Sequence, residues 1–193
     1  VARRAAQLAY EAHQFEVAVE AFKLWQELEP SSPVAKQMLL SLLLSAGKLQ
    51  EARPHLEAAL KADAANVGRI FMSVYNLAAR HPDKAAVLDW MIEVTHPYPD
   101  LAEGHWAVAQ AAAAAGKNDL AQEEAHRAVV LKPDWDAAAV LEAELYLRSD
   151  PQKGLAMLKK QLGEDPDNRE LRLYYARALL NQKQFAASRE EFQ

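Results

Sequence analysis

The sequence contains no cysteine among its 193 residues. This absence excludes a disulfide, a thiolate nucleophile and any zinc or iron–sulfur site built on cysteine. Long apolar runs are also missing, since the longest, Met38 to Leu44, is interrupted by Ser41. A membrane-spanning helix needs about 18 to 20 apolar residues, so we expect none within this chain.

Glycine is scarce, with 6 residues, whereas alanine supplies 39 of the 193. Alanine has the highest helix propensity, and the β-branched and aromatic residues that favour strands are few. Hydrophobic residues make up 51% of the chain and charged residues 25%, which is typical of a folded protein with a buried core. The composition therefore predicts an all-α protein.

The sequence also lacks a basic block. Residues 1–96 carry 10 basic and 11 acidic side chains, and residues 97–193 carry 12 basic and 16 acidic ones, which gives a formal net charge of −5. Proteins that bind nucleic acid obtain most of their affinity by neutralising phosphates with Lys and Arg. We therefore expect no nucleic acid partner.

Motifs of catalysis and metal binding are absent too. None of the six histidines shows the spacing of an H-E-x-x-H zinc motif, and no G-x-S-x-G sequence is present. The pair Gly116-Lys117 lacks the glycine-rich segment that precedes the lysine of a phosphate-binding loop. We therefore predict no enzyme, no catalytic residue, no metal and no cofactor.

The clearest feature of the sequence is an internal repeat. Small residues early in each predicted second helix are separated by 34, 34, 35, 33 and 34 residues. The segment before each of them is predicted to be the turn between two helices, and Gly47 and Gly116 stand where a helix should end in a left-handed residue. The six small residues are Ala18, Ala52, Ala86, Ala121, Gly154 and Ser188.

This period, with an aromatic residue or Leu four positions later and a proline after the second helix, resembles the tetratricopeptide repeat. The resemblance implies a right-handed α-solenoid of about six tandem helical hairpins, the last one truncated, in a single superhelix over residues 1–193. We also expect the parent protein to continue beyond Gln193. The expected repeats are 1–32, 33–66, 67–101, 102–134, 135–168 and an incomplete 169–193.

In such a superhelix the first helices line a concave groove, and residues three or four apart share one helix face. Phe71, Tyr75 and Trp106 would give the middle of the groove an aromatic surface. The alternative is that these aromatic residues serve packing rather than recognition. The residues expected to bind a partner are Tyr10, Gln37, Ser41, Phe71, Tyr75, Trp106, Gln110, Tyr146 and Arg177.

Residues 128–141 and 170–179 are similar to those of proteobacterial periplasmic tetratricopeptide lipoproteins. These include an adaptor that delivers substrates to a carboxyl-terminal processing protease. The resemblance implies a periplasmic or outer-membrane-associated location, with a protease and its substrates as partners and a lipid anchor outside this sequence. A cytoplasmic location is the alternative.

The function expected from the sequence is that of a scaffold or adaptor which holds a partner protein or peptide in its groove. A second hypothesis is a structural array that self-associates through its open terminal repeat, because Phe192 lies on a face that a further helix would cover.

Overall fold

A computed structural model describes residues 1–192 of the chain. This part of the chain contains twelve α-helices, one short 3₁₀ helix at Ala64–Asn66 and no strand, which confirms the all-α prediction. The helices are α1 Ala2–Glu11, α2 Phe15–Leu28, α3 Pro33–Ser45, α4 Leu49–Ala62, α5 Val67–Ala78, α6 Lys84–Thr95, α7 Ala102–Ala114, α8 Asn118–Leu131, α9 Asp136–Ser149, α10 Pro151–Glu164, α11 Arg169–Asn181 and α12 Phe185–Glu191.

Consecutive helices pack as hairpins, and the chain divides into two compact units, Val1–Tyr98 and Pro99–Gln193. Each unit contains three hairpins, and within a unit the second helix of one hairpin also packs against the first helix of the next. A single short hairpin cannot bury its own apolar stripe, which is why these hairpins stack. Whether the two units form one superhelix stays a prediction.

The turns between paired helices occupy the positions that the period predicts. Gly47 and Gly116 adopt φ values of 72° and 73°, which confirms that both are left-handed. His13 and Lys183 stand at the equivalent position of the first and last hairpins, with φ values of 56° and 59°. Four of the six turns therefore have a residue in the left-handed conformation at the same position. In only two of them is that residue glycine.

The small-residue position is the fourth residue of the second helix in five of the hairpins. Ala18, Ala52 and Ala121 have no exposed surface there, and Gly154 and Ser188 are buried as well. In the third hairpin, however, the fourth residue of α6 is Val87, which is 2% exposed, whereas Ala86 is only half-buried. The assignment of Ala86 from the sequence was therefore wrong by one residue.

The third and fifth hairpins differ in how closely their two helices pack. The two helices α5 and α6 approach each other less closely than the paired helices of the other hairpins. In the fifth hairpin the opposite holds, because a Cβ on Gly154 would lie 2.7 Å from the backbone N of Leu147 and 2.9 Å from the carbonyl O of Ala143. Glycine is thus required for the close contact between α9 and α10.

Several helices begin at the capping residues that favour them. The Ser32 side chain accepts a hydrogen bond from the Ala35 amide, and Asp83, Asp150 and Asn168 accept equivalent bonds at the starts of α6, α10 and α11. Within residues 1–192 no helix is both long and apolar enough to cross a membrane.

Candidate partner-binding surfaces

The aromatic residues predicted on α5 lie in the interior of the first unit. Phe71 has no exposed surface, and its ring packs edge-on against Tyr98 at a centroid distance of 5.4 Å. Tyr75 is 8% exposed, and burial raises the pKa of its hydroxyl. This placement favours the packing alternative for Phe71 and leaves little of Tyr75 for a partner to contact.

The one-residue offset in the third hairpin accounts for this placement. An offset of one residue turns the assigned face of an α-helix by about 100°. The exposed side chains of α5 are accordingly Arg69, Ser73 and Asn76 rather than Phe71 and Tyr75. The sequence does contain the signal for this offset, namely the single spacing of 35 residues, but that spacing alone does not show where the extra residue lies.

The other predicted residues of the first unit reach the surface. Tyr10 on α1 is 44% exposed, Gln37 on α3 is exposed, and Ser41 is half-buried. The helix α3 packs against α2, α4 and α5, so only one of its faces is left uncovered. That face carries Gln37 and Ser41 together with Val34, which is 53% exposed.

In the second unit, Trp106 on α7 is 8% exposed and its ring lies 5.9 Å from the ring of Trp135. The Lys132 ammonium lies 5.2 Å from the centroid of Trp135, within the range of a cation–π interaction. The same lysine pairs with Glu103 at 3.0 Å. Trp135 is not among the residues predicted to bind a partner, because it precedes the first turn of α9 rather than lying on its inward face.

The remaining predicted residues of the second unit differ in exposure. Arg177 is exposed and Gln110 is half-buried. Tyr146 is also half-buried, and the Lys153 ammonium lies 3.6 Å from the centroid of its ring. This lysine covers one face of Tyr146, so a partner that stacked on that face would have to displace it.

A tyrosine absent from the predicted set lies between the neighbouring first helices α9 and α11. Burial, together with a hydrogen bond to the Glu144 carboxylate, raises the pKa of Tyr174 well above its usual range, while Arg148 opposes that shift. Because Tyr174 lies on α11 and Glu144 on α9, this hydrogen bond joins two different hairpins.

Side chains typical of acid–base chemistry occur in the second unit as two His–Glu pairs. The Nδ1 of His105 lies 2.6 Å from Glu124, and its Nε2 lies 2.7 Å from the carbonyl O of Pro99, so both ring nitrogens are engaged. His126 lies 2.8 Å from the buried carboxylate of Glu142. Within residues 1–192, no group of three or more His, Asp and Glu side chains could hold a metal ion.

Comparison with known proteins places this geometry among helical repeats. Residues 145–193 match the sequence model of the tetratricopeptide repeat. No curated protein matches the chain.

Solved structures of tetratricopeptide-repeat (TPR) proteins share the fold over most of the chain. A thermophilic TPR protein of Thermus thermophilus is 22% identical, with a TM-score of 0.54, and the match covers 92% of this chain and 96% of that one. A TPR protein from Parabacteroides merdae is 16% identical over 96% of this chain and 74% of that one, with a TM-score of 0.62.

YrrB, described as a TPR protein with an unusual peptide-binding site, is 21% identical, with coverages of 92% and 88% and a TM-score of 0.53. The TPR fold is generally a non-catalytic interaction scaffold. This chain therefore has the fold of the tetratricopeptide-repeat proteins, and its residues 145–193 carry the sequence match to that repeat.

Proposed function

We propose that the protein is a non-catalytic scaffold that binds a partner protein or peptide on the exposed faces of its first helices. The observation that carries this proposal is the uncovered face of α3, where Val34, Gln37 and Ser41 lie at helical spacing. One apolar side chain flanked by an amide and a hydroxyl suits a peptide, whose backbone needs hydrogen-bond partners and whose side chains need apolar contact.

The neighbouring helix α5 extends this surface within the first unit. It packs against α3 and exposes Arg69, Ser73 and Asn76. An asparagine side chain both donates and accepts hydrogen bonds, so Asn76 can pair with a peptide backbone as Gln37 can. The second unit offers Gln110 and Arg177 on its own first helices, and these remain predicted contacts.

A variant in which Gln37, Ser41 and Asn76 are all replaced by Ala tests the proposal. Extract from the native host is passed over the wild-type chain, and captured partners are identified by mass spectrometry. The affinity of each purified partner for the variant is then measured. We expect the affinity to fall about tenfold or more, since truncation of a few central contacts dominates most interfaces.

A matched control replaces Glu27, Gln152 and Lys159, which are exposed residues of second helices, by Ala. Both variants should keep the circular dichroism spectrum and melting temperature of the wild type. Equal affinity of a partner for the wild type and the variant of first-helix residues would show that the surface of α3 and α5 does not bind it.

As a narrower form of this function, we propose a periplasmic or outer-membrane-associated adaptor that recruits substrates to a carboxyl-terminal processing protease. The similarity of residues 128–141 and 170–179 to periplasmic lipoproteins supports it. Fractionation of the native host tests the location, and degradation of a candidate substrate by the purified protease, with and without this protein, tests the role. If this protein is found in the cytoplasm, or if it does not change the degradation of the substrate, the adaptor role is excluded and only the general scaffold function stays as a proposal.

Self-association is the second candidate function. The observation in its favour is the exposed apolar surface of the last hairpin, where Leu180, Phe185 and Phe192 are 45%, 64% and 53% exposed. Light scattering of the wild type and of a Phe185→Ser, Phe192→Ser variant over the micromolar range tests it. A mass that rises with concentration only for the wild type supports the array, and a constant monomer mass for both excludes it.

A further inference from the structure

The second helix of the first hairpin, α2, carries apolar side chains on a face that no other helix covers. Val17, Leu24 and Leu28 are 56%, 48% and 66% exposed, and Ala21 is half-buried. Their spacings of four, three and four residues place them in one row along the helix, the α2 row. An exposed apolar row at this spacing is typical of a surface against which another helix packs.

The stacking of the hairpins does not account for the α2 row. Val17, Leu24 and Leu28 are the third, tenth and fourteenth residues of their helix, and the same positions of α4 and α10 are exposed as well. In α8 the middle position holds Arg127. These positions therefore face water inside the units too, and the apolar character belongs to α2. The residues that stand there are Glu51, Ala58 and Ala62 in α4 and Lys153, Lys160 and Glu164 in α10.

A second exposed apolar face lies on α12, in the last hairpin. Phe185 begins this helix, and Phe192, still in helical conformation, caps its end. The two residues are seven positions apart, so their rings lie on the same side, about 10 Å from each other along the axis. Arg189 lies between them, is exposed, and forms no ion pair among the described residues. This face of α12 is thus apolar at both ends and basic in the middle.

The helix α2 carries the complementary pattern in the reverse direction. Glu20 lies four residues before Leu24 and three after Val17, and Arg189 lies four residues after Phe185 and three before Phe192. The side chain of Glu20 is 71% exposed. If α12 of another copy lay antiparallel to α2, its two rings would meet Leu24 and Val17 while its arginine met Glu20.

The net charges of the two hairpins are also opposite. Residues 1–32 contain three basic and five acidic side chains, whereas residues 169–193 contain five basic and three acidic ones. The formal net charges are therefore −2 and +2. Opposite charges steer two surfaces together, and like charges in contact suppress the wrong pairing.

Like charges disfavour the two symmetric pairings of these surfaces. Two copies of α2 in contact would bring together the exposed carboxylates of Glu16, Glu20 and Glu27. Two copies of α12 would bring together their unpaired Arg189 side chains. The occupant that suits the α2 row is therefore α12 of a second copy rather than a second α2.

We propose that α12 of one copy binds antiparallel to the α2 row of another copy. Phe185 and Phe192 bury their rings against Leu24 and Val17, and Arg189 pairs with Glu20. The proposal rests on the self-association proposed above and names the surface that the last hairpin meets. Because the two surfaces differ, each added copy leaves one of each kind free, so the assembly grows beyond a dimer.

Sedimentation velocity of the full chain tests this arrangement with two variants, each of which disables one surface. Leu24→Ser with Leu28→Ser disables the α2 row, and Phe185→Ser with Phe192→Ser disables α12. We expect the mass of the wild type to rise past that of a dimer over the micromolar range, while each variant alone stays monomeric. An equimolar mixture of the two variants should form a dimer and nothing larger, because it contains one intact surface of each kind per pair.

Exchange of the two charges tests the orientation. Glu20→Arg and Arg189→Glu should each weaken the association about fivefold, since each replaces an exposed ion pair by a contact of like charges. The chain with both changes should associate as the wild type does. Lys159→Glu, an exposed residue of α10 on neither surface, is the matched control and should leave the association unchanged. Circular dichroism and melting temperatures confirm that every variant is folded.

The outcomes separate this proposal from self-association in general. If the wild type associates but either variant also dimerises alone, the contact joins two identical surfaces and the proposal is overturned, although self-association holds. The same conclusion follows if the mixed variants stay monomeric, or if the exchanged charges do not restore association. A wild type that stays monomeric at every concentration would overturn both proposals.

Discussion

The third and fifth hairpins show two ways of packing one pair of helices. In the fifth, Gly154 lets α10 approach the backbone of α9 so closely that even a methyl group would collide with Leu147. In the third, Val87 occupies the equivalent position, α5 and α6 lie farther apart, and large side chains such as Phe71 and Trp90 fill the interior. At the equivalent buried position the fifth hairpin thus has glycine, beside two closely packed helices, and the third has valine, beside two helices that lie farther apart.

The largest expected effect concerns the third hairpin, whose two helices lie farther apart. Phe71→Ala removes a fully buried ring that packs against Tyr98, so we expect the free energy of unfolding to fall by about 3 to 5 kcal/mol. Chemical denaturation of the full chain measures it. Ser73→Ala, an exposed change on the same helix, should lie within about 0.5 kcal/mol of the wild type. A loss below about 1 kcal/mol for Phe71→Ala would contradict its role in packing.

A substitution in the fifth hairpin, whose two helices pack closely, should have the next largest effect. Gly154→Ala places a Cβ under 3 Å from backbone atoms of α9, so the helices must separate at a cost of about 1 to 3 kcal/mol. Gly163→Ala on the same helix meets nothing within 4 Å and should stabilise the protein by about 0.5 kcal/mol through helix propensity. If both changes shifted the melting temperature in the same direction, close contact would not explain the glycine at position 154.

The left-handed position of the turns gives a third comparison. There, adding a side chain to a glycine should destabilise the protein, and removing a side chain should stabilise it. Gly116→Ala finds free space but must adopt φ near 73°, so we expect a loss of about 1 kcal/mol. At the equivalent position, Lys183→Gly should relieve strain and gain about 0.5 kcal/mol. Lys159→Gly, within α10, is the control and should lose about 1 kcal/mol. Melting temperatures of the three variants provide the measurement.

The smallest effect expected is an alkaline loss of stability that depends on Tyr174. Since folding raises the pKa of its hydroxyl, the unfolded state releases this proton first as the pH rises. The stabilisation is complete below the unfolded pKa of about 10 and is lost progressively above it. Denaturation at pH 8 and pH 11 should therefore show a smaller decline for Tyr174→Phe than for the wild type, and equal declines would argue against this role.

Much of the fold could be predicted because it depends on local pattern. The period of 34 residues located every hairpin turn, and Gly47 and Gly116 adopt the left-handed conformation that their positions predict. The candidate site was less predictable. A single extra residue in one repeat rotates an assigned helix face by about 100°, and the sequence does not show on which side of a helix that residue is absorbed.

The sequence by itself determined that the chain is helical, where its turns lie and which residues repeat, since these follow from propensity and periodicity. Only the tertiary structure decided that Val87 rather than Ala86 is buried, that Phe71 is interior and Asn76 exposed, and that a cavity lies beside Trp90. These outcomes depend on how two helices rotate and how far apart they settle, which is set by side-chain volume at their contact rather than by the propensity of either helix alone.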